Sequence, residues 1–78
     1  MIDKYTNAFI ESLGVEENAI NDELKYNEID EWDSIGHMTL VAALEEAFDI
    51  TFETDDIIDF SSYKKGKEIL SKYGIKDI

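Results

Sequence analysis

The stretch SIGHMTLVAALEEAF, residues 34–48, constrains this chain most. At about 100° per residue, Leu40, Val41, Leu44, Ala47 and Phe48 fall on one side of a helix and make a core face, with Thr39 and Glu46 opposite. Ile35, Met38 and Ala42 make a second apolar patch near the polar side, flanked by Glu45 and Glu46. A single buried face needs only one such stripe. A helix apolar on two sides is either central in a bundle or presents a docking surface. With few neighbours available in 78 residues, the second patch reads as a docking surface. Met38 suits that use, because its flexible side chain adapts to different partners.

Three other segments carry a helical period. Ile2, Tyr5, Phe9 and Leu13 recur at steps of three and four over about Asp3 to Leu13, and Gly14 can stop that helix with positive φ. Asp33 or Ser34 caps the second helix. Thr54 caps a short turn, DDIID, whose acids sit at the positive end of the helix dipole. Ser61 or Ser62 caps the last helix, in which Tyr63, Gly66, Ile69 or Leu70, and Tyr73 share a face. There Gly66 admits a close neighbour, and Gly74 ends the helix. Residues 15–33 have no sustained period, and so long a loop is uncommon in a small fold. Its scattered apolar residues, Val15, Ile20, Leu24, Tyr26, Ile29 and Trp32, read as pins onto the bundle. DITFET alternates apolar and polar residues, but a lone strand has no partner, so it reads as an extended linker. The expected fold is all-α: a small four-helix bundle, three main helices plus one short helix, with a long loop between the first two. One domain over residues 1–78 is expected.

A chain of this size buries only about 60% of its unfolded surface, which leaves no room for a deep catalytic cleft. It has no cysteine, hence neither a disulfide framework nor a thiolate metal site. Its N-terminal residues lack the basic and apolar regions of a signal peptide, and the longest strictly apolar run, LVAAL, cannot span a membrane. A soluble, cytoplasmic monomer is expected. The net charge is −12, and its distribution is uneven. Residues 1–60 hold 17 acids and two lysines, Lys4 and Lys25. Residues 61–78 hold Lys64, Lys65, Lys67, Lys72 and Lys76 against Glu68 and Asp77. An acidic body disfavours nucleic acid and anionic membrane, and favours basic protein surfaces with fast, salt-sensitive encounter.

Asp33, Ser34 and His37 together suggest a nucleophilic triad. His37 lies one turn from Ser34, so the two side chains can meet. A hydrolase also needs a group that orients the imidazole and an oxyanion hole. Asp33 has no evident route to the far ring nitrogen, and no G-x-S-x-G elbow is present. His37 therefore reads as an ordinary exposed polar residue, and the protein as no enzyme. Metal binding is also disfavoured. Trp32 breaks the alternation that a calcium loop requires of Asp30, Glu31 and Asp33, while dipole complementation accounts for Asp55, Asp56 and Asp59. The start of the second helix does suit a phosphate group, since free N–H groups and partial positive charge collect there. A serine at that end is open enough to carry a phosphodiester.

The segment DSIGHMTLVAALEEAFDI resembles the pantetheine-attachment segment of acyl carrier proteins, whose core is Asp-Ser-Leu followed by an amphipathic helix. Asp33-Ser34-Ile35 matches that core, with Ile for Leu, and LEEAFDI resembles the end of the same helix. The likeness covers essentially the whole chain. It implies that Ser34 carries a 4′-phosphopantetheine arm, moved from coenzyme A by a phosphopantetheinyl transferase. The arm's thiol would hold an acyl or aminoacyl group as a thioester. By the same resemblance Asp33 contributes to transferase recognition. Ile35, Met38 and Ala42 would dock partner enzymes, and Glu45 and Glu46 would meet basic residues on acyl-loading and acyl-transfer enzymes. Gly36 stands where fatty-acid members have Asp, and His37 and Thr39 also depart, so the recognition face is less acidic at its start. Trp-Asp-Ser-x-x-His looks more like stand-alone carriers of specialised lipid, surface-polysaccharide or natural-product pathways. The competing reading is an unmodified acidic helical adaptor for a basic protein partner.

Overall fold

The computed structural model describes residues 3–75. Ile2, expected on the first helix face, and Lys76 and Asp77 of the basic tail lie outside the described residues. Four α-helices follow one another: α1, Lys4–Leu13; α2, Ser34–Phe48; α3, Thr54–Asp59; and α4, Tyr63–Lys72. The all-α bundle expected from the periodicities is the observed fold, and α1 against α2 is its principal helix pair.

α1 starts where the Asp3 carboxylate accepts a hydrogen bond from the Thr6 amide at 2.7 Å, which satisfies one of the donors a helix start leaves free. It turns Tyr5, Ala8, Phe9 and Leu13 inward. At its end Gly14, at φ 68°, donates its N–H to the Ile10 carbonyl. α4 starts on Ser62, whose hydroxyl accepts from the Lys65 amide at 2.9 Å, and it buries Tyr63, Gly66, Ile69 and Leu70. Of the two serines expected to cap it, Ser62 does so. A Cβ on Gly66 would run into the Tyr5 hydroxyl and the Phe60 ring, so the close neighbour foreseen at that glycine is aromatic.

The core is largely aromatic. Phe9 sits at its centre, edge-on to Trp32 at 5.2 Å between centroids and to Tyr63 at 5.2 Å, with Tyr5 and Phe60 beside it. Such pairs add about 0.5–1.5 kcal/mol each beyond the area they bury. The Tyr5 hydroxyl donates to the Tyr63 carbonyl, and burial, its largest cause, pushes the Tyr5 phenol well above the usual tyrosine value.

The long loop is pinned as expected, with one exception. Leu24 and Trp32 are buried, and Val15, Ile20 and Ile29 rest on the core. A 3₁₀ turn, Glu17–Ala19, interrupts the loop. Two backbone bonds, Tyr26 N–H to Ser61 and Tyr63 N–H to Leu24, both 2.9 Å, tie it to the start of α4. The exception is Tyr26, which stays exposed.

α3 has only six residues, too few for a helix to persist alone in water. Its N-cap is Glu53, and Thr54 is its first helical residue, not the cap that the sequence suggested. Glu53 makes no side-chain capping bond. Dipole complementation is also an incomplete account of its acids. Asp56 is buried, with carboxylate oxygens 2.6 Å from both Lys72 Nζ and the Tyr73 hydroxyl. The hydrogen bond from Lys72, then that from Tyr73, holds its carboxyl below the usual value. The segment between α2 and α3, whose alternation read as a linker for want of a partner strand, forms no strand.

Candidate functional site at the start of the second helix

At the head of α2, two adjacent residues have separate roles. Asp33 is the N-cap, its carboxylate accepting from the Gly36 amide at 2.8 Å. Ser34 is therefore the first helical residue, with its side chain exposed. Its hydroxyl lies 3.1 Å from the Tyr26 hydroxyl. Tyr26 reaches this position because Asn27, at φ 66°, turns the loop back so that its N–H bonds to the Trp32 carbonyl at 2.8 Å. Asparagine tolerates the left-handed region better than most residues.

His37 is buried, contrary to the expected exposed polar residue. The Trp32 indole N–H donates to His37 Nδ1 at 2.9 Å. Indole nitrogen only donates, so Nδ1 is unprotonated and Nε2–H donates to the Ile57 carbonyl at 3.0 Å. Both ring nitrogens are occupied by partners other than Ser34, and the Asp33 carboxylate is engaged as a cap. The three residues are neighbours, yet their bonding does not form a nucleophilic relay. Sequence spacing did contain the signal for this burial. His37, Leu40, Val41 and Leu44 stand at i, i+3, i+4 and i+7, the stripe of a buried face, and all four are buried.

Gly36 is equally architectural. A Cβ there would strike the Glu31 carbonyl oxygen and crowd Leu13, so a glycine lets the end of the loop lie against the helix. The two residues that set this segment apart in sequence are thus accounted for by packing.

Beside Ser34 runs a groove of about 330 Å³. Tyr26, Met38 and Ile58 form its exposed rim, and the buried His37 and Phe60 its floor. Among the described residues, the exposed large apolar side chains are Ile35 (78% exposed), Ile58 (73%), Met38 (55%) and Tyr26 (38%). Three share the groove with Ser34, and the fourth is the next residue along the chain. Scattered apolar residues are ordinary on a surface, whereas their gathering at one place marks a site of contact. Tyr26 had read only as a pin, and Ile58 had not been singled out. Its signal was the Ile57–Ile58 pair, of which a short helix can turn only one inward.

The other expected recognition residues are placed unequally. Ala42 and Glu46 are exposed on α2 beyond Met38. Glu45 is half-buried, and its carboxylate accepts from the Phe52 amide at 2.9 Å. It therefore also holds the segment after α2. Among the described residues no cluster of His, Asp and Glu suited to a metal ion occurs, and no helix is long and apolar enough to cross a membrane.

Among the described residues, the exposed large apolar side chains thus gather around one exposed serine on an all-helical scaffold. A family model described as "Phosphopantetheine attachment site" matches residues 6–65. The chain belongs to this family of acyl and peptidyl carrier domains, whose cofactor is covalently attached 4′-phosphopantetheine. Comparison with curated proteins and with solved structures gave no match.

Proposed function

We propose that Ser34 is the attachment serine and that the protein carries an acyl or aminoacyl group to partner enzymes. The observation that carries this reading is the exposed hydroxyl of Ser34 at the first position of α2, inside the ring of Tyr26, Ile35, Met38 and Ile58. The cap on Asp33 leaves that hydroxyl free of any duty to the helix. In the transfer, Ser34 Oγ forms a bond to the pantetheine-side phosphorus of coenzyme A. The pyrophosphate P–O bond breaks, adenosine 3′,5′-bisphosphate leaves, and the serine proton goes to a base on the transferase. The attached arm supplies a thiol that holds the cargo as a thioester. The chain's own residues provide position and recognition. Tyr26 stands within hydrogen-bond reach of the hydroxyl, and Asp33, Ile35, Met38, Ala42, Glu45 and Glu46 form the partner face. Met38, Ala42 and Glu46 are exposed along one helix, which supports a docking role for them. The protein serves as a non-catalytic cytoplasmic monomer in a specialised lipid, polysaccharide or natural-product pathway.

Intact mass after incubation with coenzyme A and a broad-specificity transferase tests this. One phosphopantetheine should be added to the wild type and none to Ser34→Ala. A gain that survives Ser34→Ala would place the attachment elsewhere.

A further inference from the structure

The way from Ser34 into the bundle is closed. Beneath the groove, the His37 ring rests against both Trp32 and Phe60, with centroids 6.1 Å and 5.6 Å away. Trp32, fully buried, meets Phe9 and Phe60 behind it. Through Trp32 Nε1–H to Nδ1 and Nε2–H to the Ile57 carbonyl, His37 also joins α2 to α3. A chain passing between these helices would have to push His37 aside. That would leave an indole N–H and a backbone carbonyl without partners, a loss that buried polar groups resist. Behind them it would meet side chains already packed at the density of an organic crystal. The groove itself has a volume at the low end for small-ligand sites.

We propose that Trp32 and His37 wall the bundle interior off from Ser34, so that the cargo rides outside the helices and is a short or polar acyl group, an aminoacyl group included. A long hydrocarbon chain left outside would keep its apolar surface in water, which is unfavourable. This proposal rests on the carrier reading of Ser34 and specifies the class of cargo.

The test loads the full chain with acetyl-, octanoyl- and dodecanoyl-phosphopantetheine from the corresponding acyl-coenzymes A, and compares melting temperature and the rate of thioester cleavage by hydroxylamine. The three species should melt within about 1 °C of one another and be cleaved at the same rate. A rise of about 5 °C or more from acetyl to dodecanoyl, of the size expected when a chain of methylenes becomes buried, with slowed cleavage, would overturn the proposal while leaving the carrier reading intact. No mass gain on loading would remove the carrier reading, and this proposal with it. In His37→Ala the wall is breached, so the dodecanoyl form should melt above the acetyl form. A flat series in a folded His37→Ala would show that His37 is not the barrier. If that variant does not fold, the wild-type series decides alone.

Discussion

α3 is held from two sides by clamps of different chemistry. On the side of the serine, the neutral chain Trp32–His37–Ile57 links it to α2. On the other side the ionic cluster of Asp56 with Lys72 and Tyr73 links it to α4, and the Tyr73 hydroxyl also accepts from the Glu53 amide at 2.9 Å. The neutral clamp is buried among aromatic rings. The charged one has a buried carboxylate, but its lysine is largely exposed to solvent. A helix too short to persist alone thus takes its position from two unlike sets of bonds, which respond to different perturbations. The set beside Ser34 gains nothing from ionic attraction, so salt leaves it alone.

The sharpest way to break this comparison is Trp32→Ala. It removes the largest fully buried side chain together with the His37 donor, and should cost about 3–5 kcal/mol, read from the urea midpoint. For a domain this small, that is most of its stability. Next, His37→Ala should cost about 2 kcal/mol by leaving the Trp32 N–H and the Ile57 carbonyl unpaired, with no dependence on salt. A loss that shrinks at high ionic strength would remove the distinction between the clamps.

The charged clamp should show itself in pH. The Asp56 carboxyl is held below its ordinary 3.8, first by the Lys72 bond and then by the Tyr73 bond. Its contribution is therefore complete above pH 3.8 and is lost as pH falls through the depressed value. Asp56→Asn should melt lower than the wild type at neutral pH, and the two should converge in acid. A loss of stability on the alkaline side has a separate origin. Tyr5, raised mainly by burial, and Tyr73, raised mainly by its bond to Asp56, favour the neutral phenol in the folded state. Stability present below pH 10.0 should fall as pH rises beyond it, followed by circular dichroism. Smallest of all, Ile35→Ser and Met38→Ser, which remove exposed side chains that bond to neither clamp, should change stability by less than about 0.5 kcal/mol while weakening partner binding in a titration.

The periodicities of Tyr5, Phe9 and Leu13, of Leu40, Val41 and Leu44, and of Tyr63, Gly66 and Ile69 made the three main helices legible, because each buries one stripe against a common core. The exposed patch on α2 was legible as a surplus over that stripe. What escaped was cross-chain chemistry. Nothing local announces that Asp56 will meet Lys72, 16 residues away, or that the Ile57 carbonyl will occupy His37. Gly36 and His37 looked like features that choose a partner because sequence alone shows no neighbour, whereas the Glu31 carbonyl and the Trp32 indole supply a packing reason for each. Tyr26 was misjudged for a similar cause. Its place over Ser34 depends on a left-handed Asn27 that no apolar pattern encodes.

The division between Asp33 and Ser34 has a consequence for the working life of the molecule. Had Ser34 been the cap, every addition or removal of a group at its hydroxyl would have remade the first turn of α2. With the cap one residue earlier, the helix start is indifferent to what the hydroxyl bears. If Ser34 is the attachment point as proposed, the same folded body can pass through bare, armed and laden forms in turn, and a partner that tells these forms apart must do so by the attached group and its immediate rim.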